Sequence, residues 1–415
     1  MRAALNNIRL LKLQKHSLWN NKNFVNLWVG GAFSVIGYRL YSLIISWFVI
    51  ELTGSTSILG LLFVCWAIPN MFFMIAGGAL SDNYDKVKIM WFSDIVRASV
   101  LTVLLVLYLT GLTFTPLLFI ISLIFGISNA MFTPARDALL PEIIEKADIQ
   151  KGNSFREMIN QVAIVIGPVL GAVGIEILGV GEAFLIPIFF MLLSAIFIKR
   201  ITYRKVKTEK KDKKKIIKEI KEGFLIVKNN KPIVFMFICM AIFNLGYFGP
   251  MVIGLPYLAN VVLDTGIIGF TLLEVAIAIG MITGSIICSR VNVIKTGLVV
   301  FSCTLISGVL FSIVGFANDI YIIGFIMLII GCLVTIINIL MYSTVQKEFD
   351  IRVLGVVLGF LNFMVVGMDP ISFFISGIAF DMLEVEFVFL TGGLLVAIAG
   401  LIGVCLKSTR SLKTT

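Results

Sequence analysis

The sequence predicts an all-α membrane protein whose twelve transmembrane helices form two pseudo-symmetric bundles of six. Three observations carry that expectation. The chain is 59% hydrophobic and 14% charged, against about 25% charged in a soluble domain, so it lacks the polar surface to face water on every side. Twelve apolar stretches each approach the roughly 20 residues that a helix needs to cross a bilayer. Acidic and basic residues collect in alternating connections between those stretches.

In order, the spans are expected near 24–50, 57–80, 88–110, 114–134, 156–179, 183–199, 233–256, 266–289, 294–315, 319–343, 354–378 and 386–406. One set of connections holds Glu51, Glu182, Asp264, Asp319, Asp381, Glu384 and Glu386 and no Lys or Arg. The other holds the N-terminus, Lys86, Lys88, Arg136, Lys146, Lys151, Arg290, Lys295, Lys347, Arg352 and the C-terminal Lys407, Arg410 and Lys413. An odd number of spans would mix the two sets. Lys and Arg favour the cytoplasmic side, so the expectation is a multi-pass protein of a prokaryotic cytoplasmic membrane with both termini inside. This topology accounts for the net charge of +10 without nucleic acid as a partner. The polar opening, Arg2 to Lys22, is too long for a cleaved signal.

Function classes fall away on composition. The single histidine, His16, lies in the polar N-terminal segment, so no histidine-based metal site is expected. Cys65, Cys239, Cys288, Cys303, Cys332 and Cys405 lie in apolar runs without CxxC spacing and read as packing residues. No Gly-x-x-x-x-Gly-Lys-Ser/Thr loop, zinc set or hydrolase constellation occurs. No enzyme activity and no cofactor are expected.

The longest polar interruption divides the chain into residues 1–198, a basic linker at 199–231, and residues 232–415. Its first part, TYRKVKTEKKDKKK, is a solvated basic run. Its second part places Ile216, Ile220, Phe224 and Val227 at helical spacing, an amphipathic linker helix at the headgroup boundary.

Gly77–Lys88, GGALSDNYDKVK, joins the second and third spans. Two glycines let the helix end approach a neighbour closely. Asp82 follows at a helix C-terminus, where the macrodipole disfavours an anion and calls for a nearby cation or helix N-terminus. Asp94 and Arg97, three apart on the next helix, are expected in the same charge cluster. The stretch resembles the loop between helices 2 and 3 of the major facilitator superfamily, G-x-L-x-D-[RK]-x-G-[RK]-[RK]. Gly78, Leu80 and Asp82 match, and Lys86 fits a basic position; Asn83 and Asp85 depart from it. The resemblance implies a cytoplasmic latch between the two halves, with Gly78, Asp82, Lys86, Asp94, Arg97 and Arg136 as candidates. It also implies halves related by an axis along the membrane normal.

Phe132–Ser154 opens with FTPARDALLP, which resembles the F-x-P-A-R-x-A-x-x-P signature of one branch of that superfamily. That branch holds multidrug and macrolide efflux pumps, siderophore exporters and lysophospholipid transporters. Pro134 and Pro141 are expected to bracket the end of the fourth helix, with Arg136 and Asp137 where the chain leaves the membrane. Lys221–Pro232 resembles the approach to the seventh helix in the same branch. In the fifth helix, Gly167, Pro168 and Gly171 resemble the G-P-x-x-G-G motif of exporters, with Ala172 in place of a glycine. Pro168 is expected to kink the helix, and Gly167, Gly171 and Gly174 to offer a smooth packing face. Gly167-Pro168 and Asp369-Pro370 occupy equivalent places in the two halves.

Ionisable residues inside apolar runs are costly in lipid and therefore candidates for function. Asp369, in the eleventh helix beside Pro370, is the first candidate proton carrier. Arg39, in the first helix, reads as a buried cation able to pair with an acid or hold an anionic substrate. Glu274, in the eighth, is a second acid nearer the outer side. Arg156 and Glu157 read as gate charges. Related proton-coupled pumps carry an arginine in the fourth helix, where this chain has only Asn129. Asn244, Asn338 and Tyr342 fall on the seventh and tenth helices, which the resemblance places around the central cavity. With 34 Phe and 16 Met, such a cavity would suit amphipathic ligands. The resemblance implies a monomeric secondary transporter that exports an amphipathic small molecule of drug, macrolide or siderophore type, in antiport with protons and driven by the proton gradient. The alternatives are a lysophospholipid transporter of the same fold and a non-transporting membrane sensor or scaffold.

Overall fold

A computed structural model describes residues 18–112, 114–145, 148–203, 225, 227–291, 295–349 and 351–406. His16, Lys146, Ile216, Ile220, Phe224, Lys407, Arg410 and Lys413 lie outside them, as do the side chains of 73–83 and 351–356. The described residues form helices and no strands. The spans are α1 (Lys22–Thr53), α2 (Thr56–Asn83), α3 (Lys86–Leu109), α4 (Thr115–Ile143), α5 (Ile149–Leu178), α6 (Leu185–Lys199), α7 (Lys231–Val262), α8 (Gly266–Arg290), α9 (Thr296–Val314), α10 (Ile320–Glu348), α11a (Ile351–Val366) with α11b (Asp369–Met382), and α12 (Val385–Cys405). Among the described residues, counting α11a and α11b as one span and including α2, whose described apolar part is the shorter Thr56–Phe72, gives the twelve expected.

The ends differ from the sequence reading in ways that have causes. Pro134 and Pro141 sit inside α4 and do not bracket its end; Arg136 and Asp137 are helical residues a further turn or more from it. Within a bundle, neighbouring groups can compensate a missing proline N–H. Asp85 starts α3, its carboxylate accepting from the amides of Val87 (3.0 Å) and Lys88 (3.3 Å). The residue that departs from the family pattern is therefore a helix N-cap. Gly54, with φ of 63°, ends α1 and lets α2 begin two residues later.

The helices pack as two compact units. One comprises Met1–Leu43 with Phe72–Thr208, the other Ile44–Met71 with Glu209–Thr415. In the first, Phe24, Leu27, Val87, Met90, Phe132, Leu139 and Ile198 build a buried cluster at the basic-loop end. Gly167 and Gly171, one turn apart on α5, lie against Arg39 and Leu43, one turn apart on α1. A Cβ at Gly167 would come within 2.5 Å of the Arg39 Cβ. Of the smooth face expected on α5, Gly167 and Gly171 are thus in use against α1, while Gly174 lies against Ile186 at the start of α6. In the second unit, α8 meets α10 through Gly280, Gly284 and Gly331, and α9 meets α12 through Gly308, Gly393 and Gly400. Small residues allow the backbone proximity on which helix association in lipid depends.

Two of the spans in the second unit are irregular. α7 contains π-helical turns at Asn244–Phe248 and Leu258–Val262. The eleventh span is interrupted between Val366 and Asp369. Pro370 has no N–H for the carbonyl of Val366, and it sits in the first turn of α11b, where proline is well tolerated. Pro168, its counterpart by sequence, leaves α5 continuous.

Candidate functional site

The two irregular helices meet. The side-chain amide of Asn244 donates to the Val365 carbonyl (2.6 Å) and to Asp369 Oδ1 (2.7 Å). Ser372 Oγ donates to the Leu245 carbonyl (2.8 Å) and accepts from the Gly249 amide (2.8 Å). A π turn and a helix break each leave main-chain groups without regular partners. Here Asn244 supplies one of the missing donors and Ser372 serves both a carbonyl and an amide of α7. Asp369 is 8% exposed. Among the described residues no ion pair involves it. Its carboxylate thus has the Asn244 side-chain amide as partner and no cation against it among the described residues.

A cavity of about 240 Å³ lies beside this junction. Asn244, Tyr247 and Phe248 of the π turn contribute to it, with Met251, Met281, Ile337 and Asn338. Asn244 and Asn338 thus share one lining, with methionines and aromatic rings around them. Tyr342 is not part of it; its hydroxyl donates to Asn362 Oδ1 (2.5 Å) on α11a. Glu274 is half-buried on α8, within electrostatic reach of Tyr247.

The first unit holds the other candidates. Asp94 and Arg97 form an ion pair, 0% and 1% exposed. Asp94 also accepts from Ser194 (2.6 Å) and Ser34 (3.1 Å), and Arg97 donates to Ser34 (2.8 Å) and Asn129 (3.3 Å). The guanidinium lies 4.8 Å from the Phe132 ring centroid. The pair is a core of charge tying α3 to α1, α4 and α6, with Ser34, Ser194 and Asn129 supplying the hydrogen bonds that a buried pair requires; Asp82, in whose cluster it was expected, has its side chain outside the described residues. Asn129, the polar residue of the fourth span, is one of its ligands.

Arg39 is exposed, contrary to the expected buried cation, and its guanidinium lies 5.9 Å from the Tyr38 ring centroid. Gly167 packs against the Cβ of Arg39, so the foot of the side chain is at the helix interface while the residue as a whole is exposed. Lys86 is 2% exposed and pairs with Glu142 at the end of α4 (2.9 Å). Arg136 and Arg156 both contact Asp137 at 3.1 Å. Gly78 and Asp82 lie on the α2 helix, and their side-chain surroundings fall outside the described residues.

A further cluster was not anticipated. Asp381, near the end of α11b, accepts from the Thr56 amide (2.8 Å) and hydroxyl (2.6 Å), the Ser57 amide (3.0 Å) and the Ser55 hydroxyl (2.8 Å). It caps the first turn of α2. Gly60 and Gly377 pack against one another at the same crossing. The run Ser55-Thr56-Ser57 after a glycine was a legible helix-start signal; that its acceptor would come from α11b was not.

Fold and site together define a polytopic helical carrier with broken helices around a polar junction. The sequence matches the family model of the major facilitator superfamily over residues 27–371, and the chain belongs to that family of transporters. It is 21% identical over 408 residues to macrolide efflux protein A of Streptococcus pyogenes, covering 96% of this chain and 99% of the relative. It is 31% identical over 225 residues to a putative bacilysin exporter of Bacillus amyloliquefaciens, about half of each chain (51% and 53%). The fold is similar to that of a bacterial homologue of the iron transporter ferroportin, with a TM-score of 0.71 at 13% identity over 94% of this chain and all of the other. A mutant of the nucleoside transporter NupG gives a TM-score of 0.74 at 12% identity, covering 92% and 98%.

Proposed function

We propose that this transporter exports an amphipathic small molecule of drug, macrolide or siderophore type from the cytoplasm, in antiport with protons, by alternating access. The observation that carries the proposal is the Asn244–Asp369 hydrogen bond, which joins a π turn to a helix break beside a cavity. The names of the efflux relatives support the direction. The basic connections face the cytoplasm, both termini lie inside, and the protein works as a monomer in the cell membrane.

Protonation of Asp369 removes the charge that strengthens the Asn244 bond, since hydrogen bonds to ions are about twice as strong as neutral ones. The junction then loosens and the two irregular helices shift. A membrane potential of 100 mV supplies about 2.3 kcal/mol per proton, enough for roughly fifty-fold accumulation before any pH gradient counts. At the basic end, the latch region of Gly78, Asp82 and Lys86 stabilises one of the two states. The test is Asp369→Asn in proteoliposomes with an imposed pH gradient and a labelled macrolide. The expected result is loss of pH-driven export with substrate binding still measurable. Export at the wild-type rate refutes the proposal.

A further inference from the structure

A second cavity lies wholly in the first unit, at the basic-loop end. It is a groove of about 890 Å³ between the start of α3 and the residues that follow α6. Ile89, Trp91, Phe92, Ile201 and Tyr203 give it an apolar, aromatic wall. Lys88, on the first turn of α3, and Lys199, the last residue of α6, stand in the same lining, both exposed. The Lys199 ammonium lies 5.5 Å from the Trp91 ring centroid, an arrangement that orders the charge. Asp85 also lines the groove. Its carboxylate is committed to the amides of Val87 and Lys88 and to the Tyr203 hydroxyl (3.4 Å). Burial holds that hydroxyl above its ordinary pKa, so it stays a donor.

We propose that this groove binds an anionic phospholipid. The phosphate sits between Lys88 and Lys199, and an acyl chain lies along Trp91, Phe92 and Ile89. Both lysines stand at the ends of membrane-spanning helices, the depth at which headgroups lie, and two cations above an apolar floor complement a lipid that is negative above and apolar below. The chain's own linker is the competing occupant. Residues 204–215 carry eight basic and two acidic side chains, so the linker repels the lysines that the lipid would satisfy.

The test uses the purified full chain in detergent, titrated with dioctanoyl phosphatidylglycerol, dioctanoyl phosphatidylcholine or inorganic phosphate while thermal stability is followed. Phosphatidylglycerol should raise the melting temperature at concentrations where the other two do not. The Lys88→Gln/Lys199→Gln variant should weaken that response, roughly fivefold for each lysine and on the order of twenty-five-fold for the pair. In vesicles, phosphatidylglycerol brominated on its acyl chains should quench tryptophan fluorescence, and Trp91→Phe should lose the quenched component. An equal response to phosphatidylcholine, a phosphate response equal to that of the lipid, full affinity in the lysine variant, or unchanged quenching in Trp91→Phe would each overturn the proposal.

Discussion

Replacing Asp381 by Asn removes one charge and turns one acceptor oxygen into a donor. The structure sets the size of the effect. Asp381 accepts four hydrogen bonds from the first turn of α2, two from amides and two from hydroxyls. An asparagine can keep the pair from Thr56 on its carbonyl oxygen. Its NH2 then faces the Ser57 amide, which is left without an acceptor, while the Ser55 hydroxyl can rotate to accept. A hydrogen bond to a charged group contributes about 1.5–3 kcal/mol against 0.5–1.5 for a neutral one. Asp381 is exposed, so solvent screening reduces the difference, and a net loss of about 1–2 kcal/mol is the reasonable figure. That corresponds to roughly 5- to 30-fold more frequent opening of the α2 N-terminus. Hydrogen exchange read by mass spectrometry on a peptide covering residues 55–60 measures it directly. Asp381→Asn should exchange faster by that factor, while peptides from α3 and α4 stay unchanged. Exchange at the wild-type rate would mean that the cap does not hold this helix start.

Two further outcomes follow from packing and charge in the first unit. Gly167→Leu should lower thermal stability by about 1–3 kcal/mol, the usual cost of overpacking, because even a Cβ there meets Arg39 at 2.5 Å; an unchanged melting temperature would show that α1 and α5 can separate freely. Arg97→Met leaves Asp94 buried without its cation and should destabilise by about 3–5 kcal/mol, whereas Asp94→Leu/Arg97→Met should recover much of the loss; thermal melts in detergent compare the two.

The sequence made much of the site legible one residue at a time and little of it as pairs. Asp369 and Pro370 were legible as an acid and a proline inside the eleventh span, and the structure breaks that span there because proline withholds an N–H. Asn244 was legible as a polar residue in an apolar run. That it reaches Asp369 depends on how α7 and α11b lie side by side, which local chemistry does not encode. Arg39 was expected to be buried and is exposed; an isolated charge in an apolar run looks the same in sequence whichever way its helix turns it. Asp94 and Arg97 were expected in one charge cluster, and their i,i+3 spacing, which is local, brings the two together as an ion pair. Their serine and asparagine partners come from three other helices and were invisible. The same limit hid the cap that Asp381 places on α2, although the serine-threonine run and the aspartate are both plain in the sequence.

By itself, the sequence determined the solvent, the number of crossings and the family, because each rests on short-range quantities. Charge content, the length of an apolar run and the residues within a ten-residue motif do not depend on distant chain. Only the tertiary structure decided which buried polar groups satisfy one another, which helices approach through glycine, and where cavities remain. In a span nearly every position is apolar, so the pattern leaves the rotation of a helix about its own axis underdetermined. Packing against particular neighbours fixes that rotation, and with it the company each charge keeps.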